Sequence, residues 1–203
     1  MENMVAMLIL ASHSSTRKAL LEQAGLVFST QPAELDERGL EHGVLEAGGD
    51  GRDVALLLAQ KKALAVSAEH AGAWIVGADQ TLSLGTELLH KPGDRDGAVA
   101  QLERLRGKTH RLHAGLALVR DGQTVWSDVQ TAELTMREFS PSERDDVLAR
   151  EGEAALQSVG GYRLEGPSIR LFETVSGDYF TILGLPLLPL LAALREWAPE
   201  TLS

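Results

Sequence analysis

The fold is decided near the N-terminus by Met7-Leu8-Ile9-Leu10-Ala11, followed at once by Ser12-His13-Ser14-Ser15-Thr16-Arg17. The short apolar run is typical of a buried strand. Serines are common at helix N-caps, and the amphipathic stretch 16–24 ends at Gly25, a residue typical of the position after a helix. The stretch therefore predicts a strand, a polar turn and a helix, which is how many α/β domains begin.

The rest of the chain continues to mix strand and helix patterns. Strands are predicted at 26–30, 74–78, 81–84, 87–89, 109–119, 124–137 and 169–175. Helices are predicted at 53–69, 94–106, 140–150 and 187–197. Hairpin turns are expected at Gly85-Thr86 and Asp121-Gly122, and residues 31–52, rich in Gly, Glu and Asp, predict an exposed, mobile connection. These patterns indicate one α/β domain over residues 1–203, with a mixed, partly antiparallel sheet flanked by helices.

Composition excludes several classes of function. The 203 residues carry 19 Lys+Arg against 29 Asp+Glu, a net charge of −10, so a nucleic-acid-binding face is not expected. Cysteine is absent, which excludes disulfides, thiol nucleophiles and cysteine-bound zinc. No apolar run reaches the ~20 residues of a membrane span, and no basic stretch precedes the first apolar segment. We therefore expect a cytoplasmic protein that does not bind membranes.

The turn after the first strand is the first candidate for chemistry. Backbone N–H groups at a helix N-terminus attract anions, and Arg17 on the first turn could bind a phosphate. The alternative is that the serines only cap the helix and Arg17 faces solvent.

The second candidate is Asp79, which follows the apolar stretch Ile75-Val76-Gly77-Ala78. An acid at the end of a sheet strand could bind a divalent cation, act as a base or attack as a nucleophile, or it could simply cap a turn. An aspartyl phosphatase would want a second acid two residues later, where this chain has Thr81.

Basic residues elsewhere could hold phosphate groups. Lys91 precedes Pro92, which favours an extended backbone, and Lys61 and Lys62 differ by ~100° around their helix, so we expect only one of them to face a cleft. His110 and His113 should project to opposite sides of a strand, which disfavours a shared metal. No P-loop or Rossmann glycine motif is present.

Taken together, these motifs resemble the Maf family of nucleoside triphosphate pyrophosphatases over essentially the whole chain. The matching segments, in family order, are Leu10-Ala11-Ser12-His13-Ser14-Ser15-Thr16-Arg17, Asp36-Glu37, Lys62-Ala63, Gly77-Ala78-Asp79, Lys91-Pro92, Gly107-Lys108-Thr109-His110 and Gly184-Leu185-Pro186. The resemblance implies an elongated, ITPase-like α/β body with two lobes around a cleft, and a homodimer.

The resemblance also implies a reaction and a set of site residues. Family members hydrolyse nucleoside triphosphates between the α and β phosphates with a divalent metal such as Mg²⁺, Mn²⁺ or Co²⁺. By position, Asp79 would be the general base and, with Glu37, a metal ligand. The positions matching substrate-site residues are Ser12, Arg17, Lys62, Lys91 and Glu165.

Two departures from the family pattern bear on the nucleobase. Ser15 replaces a proline, and Thr16 replaces the first arginine of the pair found in the dTTP- and UTP-cleaving branch. With Gln80 after the acid and Glu165 in the late loop, the chain resembles the branch that cleaves 7-methyl-GTP. A glutamate could accept hydrogen bonds from the N1–H and 2-amino groups of guanine.

Three other interpretations remain open from the sequence. The chain could be a nucleotide-binding regulator of cell division without catalysis, because the family has been associated with inhibition of septum formation. It could have dTTP/UTP specificity, or it could be a phosphatase that releases orthophosphate.

Overall fold

The computed structural model describes residues 7–202 and shows a mixed α/β fold. Its seven strands are β1 (Leu8–Ala11), β2 (Ser29–Thr30), β3 (Trp74–Leu84), β4 (Glu87–Leu89), β5 (Thr109–Arg120), β6 (Gln123–Met136) and β7 (Phe172–Ser176). They form one sheet in the order β2-β1-β3-β5-β6-β7, with β4 paired to β3. The expected α/β class, with a mixed sheet flanked by helices, is confirmed.

In the part of the chain that the structure describes, seven α-helices accompany the sheet. They are α1 (Ser15–Gln23), α2 (Glu37–Glu46), α3 (Gly51–Ser67), α4 (Arg95–Leu105), α5 (Pro141–Glu151), α6 (Tyr179–Ile182) and α7 (Leu187–Trp197). Within residues 7–202, no helix combines the length and the apolar character that crossing a membrane requires.

The chain divides into two compact units, which are described separately. The first contains the residues up to Gln80, Ala114–Gln130 and those from Tyr179 onward. The second contains Thr81–His113 and Thr131–Asp178. The prediction of a single domain over residues 1–203 stays a prediction.

In the first unit, the sheet is covered by helices on both faces. Strand β1 pairs in parallel with β2 and β3, so Leu8 to Ala11 lie beside Trp74 to Gly77. Alternate residues of these strands face opposite sides. One apolar cluster packs the even-numbered side against α1 and α7, through residues such as Val76, Leu21 and Leu190. A second cluster packs Ile75 against Ala63 and Val66 of α3.

Glycine allows α3 to lie very close to the sheet. A Cβ added at Gly77 would lie 2.0 Å from the carbonyl oxygen of Ala59 and 2.8 Å from the Cβ of Ala63. A Cβ at Gly115 in β5 would lie 2.2 Å from the carbonyl oxygen of Ala55. Small residues on the helix meet glycines on the strands, and α3 is therefore held at a distance that larger side chains would prevent.

In the second unit, β3 and β4 form an antiparallel hairpin and β7 pairs antiparallel with β6. Asp94 caps α4, with its side chain accepting a hydrogen bond from the backbone N–H of Gly97. Ser140 and Glu143 form a capping box at the start of α5, with Pro141 in the first turn. The predicted hairpin at Gly85-Thr86, the Asp94 cap and the Ser140 capping box are confirmed.

The prediction of an exposed, mobile connection over residues 31–52 is wrong. They contain α2, capped by Asp36, and the start of α3, capped by Asp50. Helix α2 has no fully buried residue, and its two glycines and several charged residues suggested a loop, although Leu40 and Val44 lie one helical turn apart.

Smaller differences concern strand boundaries. The predicted strands 74–78 and 81–84 are one continuous strand, β3, and Asp79 therefore lies inside it and does not cap a turn. Only Ser29–Thr30 of the predicted strand 26–30 pairs with a neighbour. Residues 167–171 form a 3₁₀ helix that begins with Pro167, so the last strand starts later than predicted, at Phe172.

Candidate functional site

A lysine lies between two carboxylates in the first unit. The Nζ of Lys62 lies 2.6 Å from Oδ1 of Asp79 and 2.8 Å from Oε1 of Glu37. The side chains of Lys62 and Asp79 are 13% and 10% exposed, while that of Glu37 is 48% exposed. Two acids and one cation that lie far apart in the sequence thus meet at one point, near the surface on the Glu37 side.

Three elements bring this group together. Asp79 follows Gly77 by two residues in β3, so both face α3. The close approach at Gly77 lets Lys62, on the next turn of α3 after Ala59, reach the Asp79 carboxylate. Glu37 is the first residue of α2, and the Asp36 side chain caps this helix through the N–H of Gly39. Of the lysine pair, Lys62 faces inward while Lys61 is exposed, as predicted.

The electrostatics of Asp79 reflect its burial. Desolvation raises the pKa of the Asp79 carboxyl above its ordinary value, and the nearby charges of Lys62 and Arg17 act against this rise. A carboxylate with a raised pKa is a stronger base than an exposed aspartate, provided it is ionised at the working pH. The environment of Asp79 is therefore suited to accepting a proton.

The Arg17 side chain does not simply face solvent, because it is hydrogen-bonded within the protein. Its Nε donates to the carbonyl oxygen of Gly184 at 2.8 Å, and its Nη1 donates to the carbonyl oxygen of Ala78 at 2.9 Å and to Oγ of Ser12 at 3.2 Å. Burial lowers the pKa of the guanidinium, which stays charged at neutral pH. Arg17 thus ties the first turn of α1 to the backbone beside Asp79.

Gln80 holds the same segment from the other side of Asp79. Its Nε2 donates to the carbonyl oxygens of Thr181 and Ile182, at 3.0 and 2.9 Å. Gly184 has a positive φ of 86°, which favours glycine, and a Cβ there would lie 3.3 Å from Oε1 of Gln80. The sequence suggested Gln80 only as a marker of the family branch and gave no sign of these bonds.

Two predicted site residues, Lys91 and Glu165, belong to the second unit. Lys91 is exposed and follows β4. Glu165 is exposed in a turn closed by a hydrogen bond from the N–H of Gly166 to the carbonyl oxygen of Arg163, at 3.3 Å. The roles of both residues stay predictions.

The two strand histidines have separate hydrogen-bond partners, and the expectation that they do not share a metal stays a prediction. Nε2 of His110 lies 2.6 Å from the hydroxyl of Tyr162, and burial lowers the pKa of His110 to about 4. His113 is hydrogen-bonded to Ser83 and Thr131.

The donor set around Lys62 is compatible with a hard cation. Within residues 7–202, no group of three or more His, Asp or Glu residues is placed to hold a metal. Magnesium, however, needs only one or two carboxylates, together with waters and substrate phosphates. Glu37 and Asp79, whose oxygens converge on one ammonium, supply two such carboxylates.

Comparison with known proteins adds family information to this geometry. A family model described as "Maf: Maf-like protein" matches residues 7–197. The chain is 50% identical over 193 residues to a 7-methyl-GTP pyrophosphatase of Brucella abortus biovar 1 (strain 9-941), covering 95% of this chain and 97% of the relative. It is 52% identical over 189 residues to a nucleoside triphosphate pyrophosphatase of Bradyrhizobium diazoefficiens (strain JCM 10833 / BCRC 13528 / IAM 13628 / NBRC 14792 / USDA 110), covering 93% of each chain.

A solved structure shows a weaker likeness. A nucleoside-triphosphatase / dITP/XTP pyrophosphatase from Mycobacterium abscessus matches 71% of this chain and 93% of its own, with 18% identity and a TM-score of 0.39.

Proposed function

Because this chain belongs to the Maf family and is a nucleoside triphosphate pyrophosphatase, we propose that it hydrolyses the α–β phosphate bond of a 7-methyl-GTP-like nucleotide. The products are the nucleoside monophosphate and pyrophosphate. The observation that carries the proposal is that Lys62 contacts both the buried Asp79 carboxylate and the Glu37 carboxylate.

Asp79 acts as the general base in this proposal. A water oxygen forms a bond to the α phosphorus, its proton goes to the Asp79 carboxylate, and the bond from that phosphorus to the α–β bridging oxygen breaks. The electron pair of the broken bond leaves with pyrophosphate. Desolvation raises the pKa of the Asp79 carboxyl, and this supports the role because a carboxylate with a raised pKa is a stronger base.

Positively charged side chains would offset the negative charge of the triphosphate. A protein of net charge −10 repels a triphosphate in general, so the site needs local positive charge. Lys62 is the nearest candidate to Asp79, and we propose that Lys91 contributes a further positive charge. Arg17 is already engaged with two carbonyls and a hydroxyl, so we assign it mainly to holding Ser12 and the backbone at Ala78 in place.

A divalent metal fits the two carboxylates. Glu37 and Asp79 would hold it, and when bound it would neutralise the negative charge that develops on the phosphate oxygens. When the metal is absent, Lys62 would offset part of the negative charge of the two acids.

We further propose that Glu165 selects the nucleobase. An ionised carboxylate only accepts hydrogen bonds, so it favours a base with adjacent N–H donors, as guanine has at N1 and the 2-amino group. Uracil and thymine offer one ring N–H flanked by carbonyls. The 7-methyl-GTP pyrophosphatase names of relatives at 50% identity support this specificity over dTTP or UTP.

The test is a nucleotide panel with Mg²⁺ or Mn²⁺, followed by identification of the products. We expect 7-methyl-GTP to be cleaved to monophosphate and pyrophosphate, with a higher kcat/KM than UTP or dTTP. We expect Glu165→Gln to reduce this preference by about 10–100-fold, the value of a hydrogen bond to a charged group. Orthophosphate as the product, nucleotide binding without turnover, or an unchanged preference in the variant would each contradict the proposal.

A further inference from the structure

A buried glutamate in the second unit lies directly behind the turn that carries Glu165. Glu151 is the last residue of α5, and its side chain is fully enclosed. An ionised carboxylate is costly to bury unless its oxygens receive hydrogen bonds. The partners of Glu151 therefore indicate what the residue holds in place.

Those partners lie on both sides of Glu165. The Nε of Arg163 donates to Oε2 of Glu151 at 3.0 Å. The backbone N–H and the hydroxyl of Ser168 donate to Oε1, at 2.9 and 2.8 Å. One carboxylate thus joins the residue two positions before Glu165 to the residue three positions after it.

The turn itself is shaped to receive this carboxylate. A Cβ at Gly166 would lie 2.3 Å from Oε1 of Glu151, so only glycine leaves room there. The backbone bond from Gly166 to Arg163 closes the turn at 3.3 Å. Before the turn, Tyr162 is buried and bonded to His110, while after it Ser168 is fully buried. Glu165 is thus an exposed residue on a turn whose two ends are fixed.

We propose that Glu151 is a positioning residue for nucleobase selection: it fixes the turn so that the Glu165 carboxylate meets the base in one orientation. This inference rests on the proposed role of Glu165. An exposed glutamate on a free loop would lose conformational entropy each time it bound a base, and pre-ordering the turn reduces that loss. Glu151 touches neither substrate nor metal in this account.

The experiment compares wild type with Glu151→Gln, Glu165→Gln and Glu143→Gln. Glutamine at 151 keeps the size of the side chain but places an NH₂ or a neutral oxygen against Arg163 or Ser168. Glu143→Gln is the matched control, because Glu143 is on the same helix and has charged and backbone partners of its own, Arg137 and Ser140, neither of which belongs to the turn 163–168. Each protein is assayed for kcat and KM with 7-methyl-GTP and with UTP, and for hydrogen exchange of the Ser168 amide.

We expect Glu151→Gln to speed exchange at Ser168 and to lower the 7-methyl-GTP/UTP ratio of kcat/KM about tenfold, mainly through a higher KM for 7-methyl-GTP. Glu143→Gln should leave the ratio unchanged. In the double variant with Glu165→Gln, the 7-methyl-GTP/UTP ratio of kcat/KM should fall no further than in Glu165→Gln alone, because Glu151 affects the ratio only by positioning Glu165. If Glu151→Gln does not fold, Ser168→Ala, which removes one of the three donors, should change the ratio in the same direction by less.

Two outcomes would overturn the inference while leaving the proposed function intact. One is an equal loss of kcat/KM for both nucleotides in Glu151→Gln. The other is faster exchange at Ser168 with an unchanged ratio. Failure of the proposed specificity has a different signature: wild type would show no preference, or Glu165→Gln would retain it, and the inference would then fall for that reason.

Discussion

Replacing Lys62 by methionine removes the positive charge from between two carboxylates while keeping a side chain of similar length. Removing one partner of a buried ion pair typically costs about 3–5 kcal/mol. The Asp79 side chain is 10% exposed, so that range applies to the Lys62–Asp79 ion pair. The Glu37 side chain is 48% exposed, so the Lys62–Glu37 ion pair adds less than about 1 kcal/mol. Asp79 can also take up a proton, which limits the loss. We expect the free energy of unfolding to fall by about 3 kcal/mol.

The same substitution should change the pH dependence of the reaction. Lys62 makes the largest of the contributions that lower the pKa of Asp79. Without it, the pKa should rise further, and the acid limb of kcat/KM should move to higher pH. The rate at neutral pH should fall by about 10²–10³-fold, as for other well-placed charged groups.

The assay is urea unfolding at neutral pH together with kcat/KM as a function of pH. Lys61→Met is the matched control, since Lys61 is the adjacent residue on the same helix but is exposed. It should change the free energy of unfolding by no more than about 0.5 kcal/mol. If Lys62→Met matched Lys61→Met in both stability and pH profile, the reasoning about the buried group would be refuted.

Four further predictions concern the same unit. Gly77→Ala should lower the free energy of unfolding by about 3 kcal/mol, because the added Cβ would overpack against α3. Gly43→Ala places its Cβ in open space on α2 and should raise the free energy of unfolding by about 0.5–1 kcal/mol, and urea unfolding compares the two variants. Arg17→Lys should cost about 2–3 kcal/mol in the same assay, because lysine cannot reach the carbonyl partners together, and a loss below about 0.5 kcal/mol would argue against the tie. Folding raises the pKa of Asp79, so the stability that this group contributes should be lost as the pH rises above the ordinary aspartate value of 3.8. The difference in free energy of unfolding between wild type and Asp79→Asn should therefore fall from about pH 4 to pH 7, and urea unfolding across this range measures it. Removing divalent metal with a chelator should abolish turnover, and Mg²⁺ or Mn²⁺ should restore it; turnover that persists under chelation would exclude the metal.

Much of the fold could be predicted because its signals are local. The Ser140 capping box with Pro141, the Asp94 cap and the Asp121-Gly122 turn depend on residues close together in sequence. Asp121 and Gly122 both have positive φ, at 49° and 73°, as tight hairpin turns of this kind require. Helix α2 was missed because its glycines and acidic residues suggested a loop, although the Asp36 cap and the apolar pair Leu40 and Val44, one turn apart, are local signals of a helix.

The site was less predictable because its contacts are long-range. Motif order indicated Glu37, Lys62 and Asp79, but the contact of Lys62 with both acids depends on the packing of α3 against β3 at Gly77. Arg17 was expected either to bind phosphate or to face solvent, and its bonds to carbonyls 61 and 167 residues away could not be foreseen.

Glu151 was missed for a related reason. It follows Val147 and Leu148 on the buried side of α5, and its partners come from a later turn. Only its position on an apolar helix face could have suggested a buried carboxylate.

Hydrolysis of 7-methyl-GTP in water enriched in ¹⁸O tests most directly where the base-activated water attacks. If Asp79 directs a water to the α phosphorus, mass spectrometry should find the label in 7-methyl-GMP and none in the released pyrophosphate. The Asp79→Asn variant should give the same pattern at a rate lower by about 10²–10³-fold. Label in pyrophosphate, or an undiminished rate in the variant, would contradict this account.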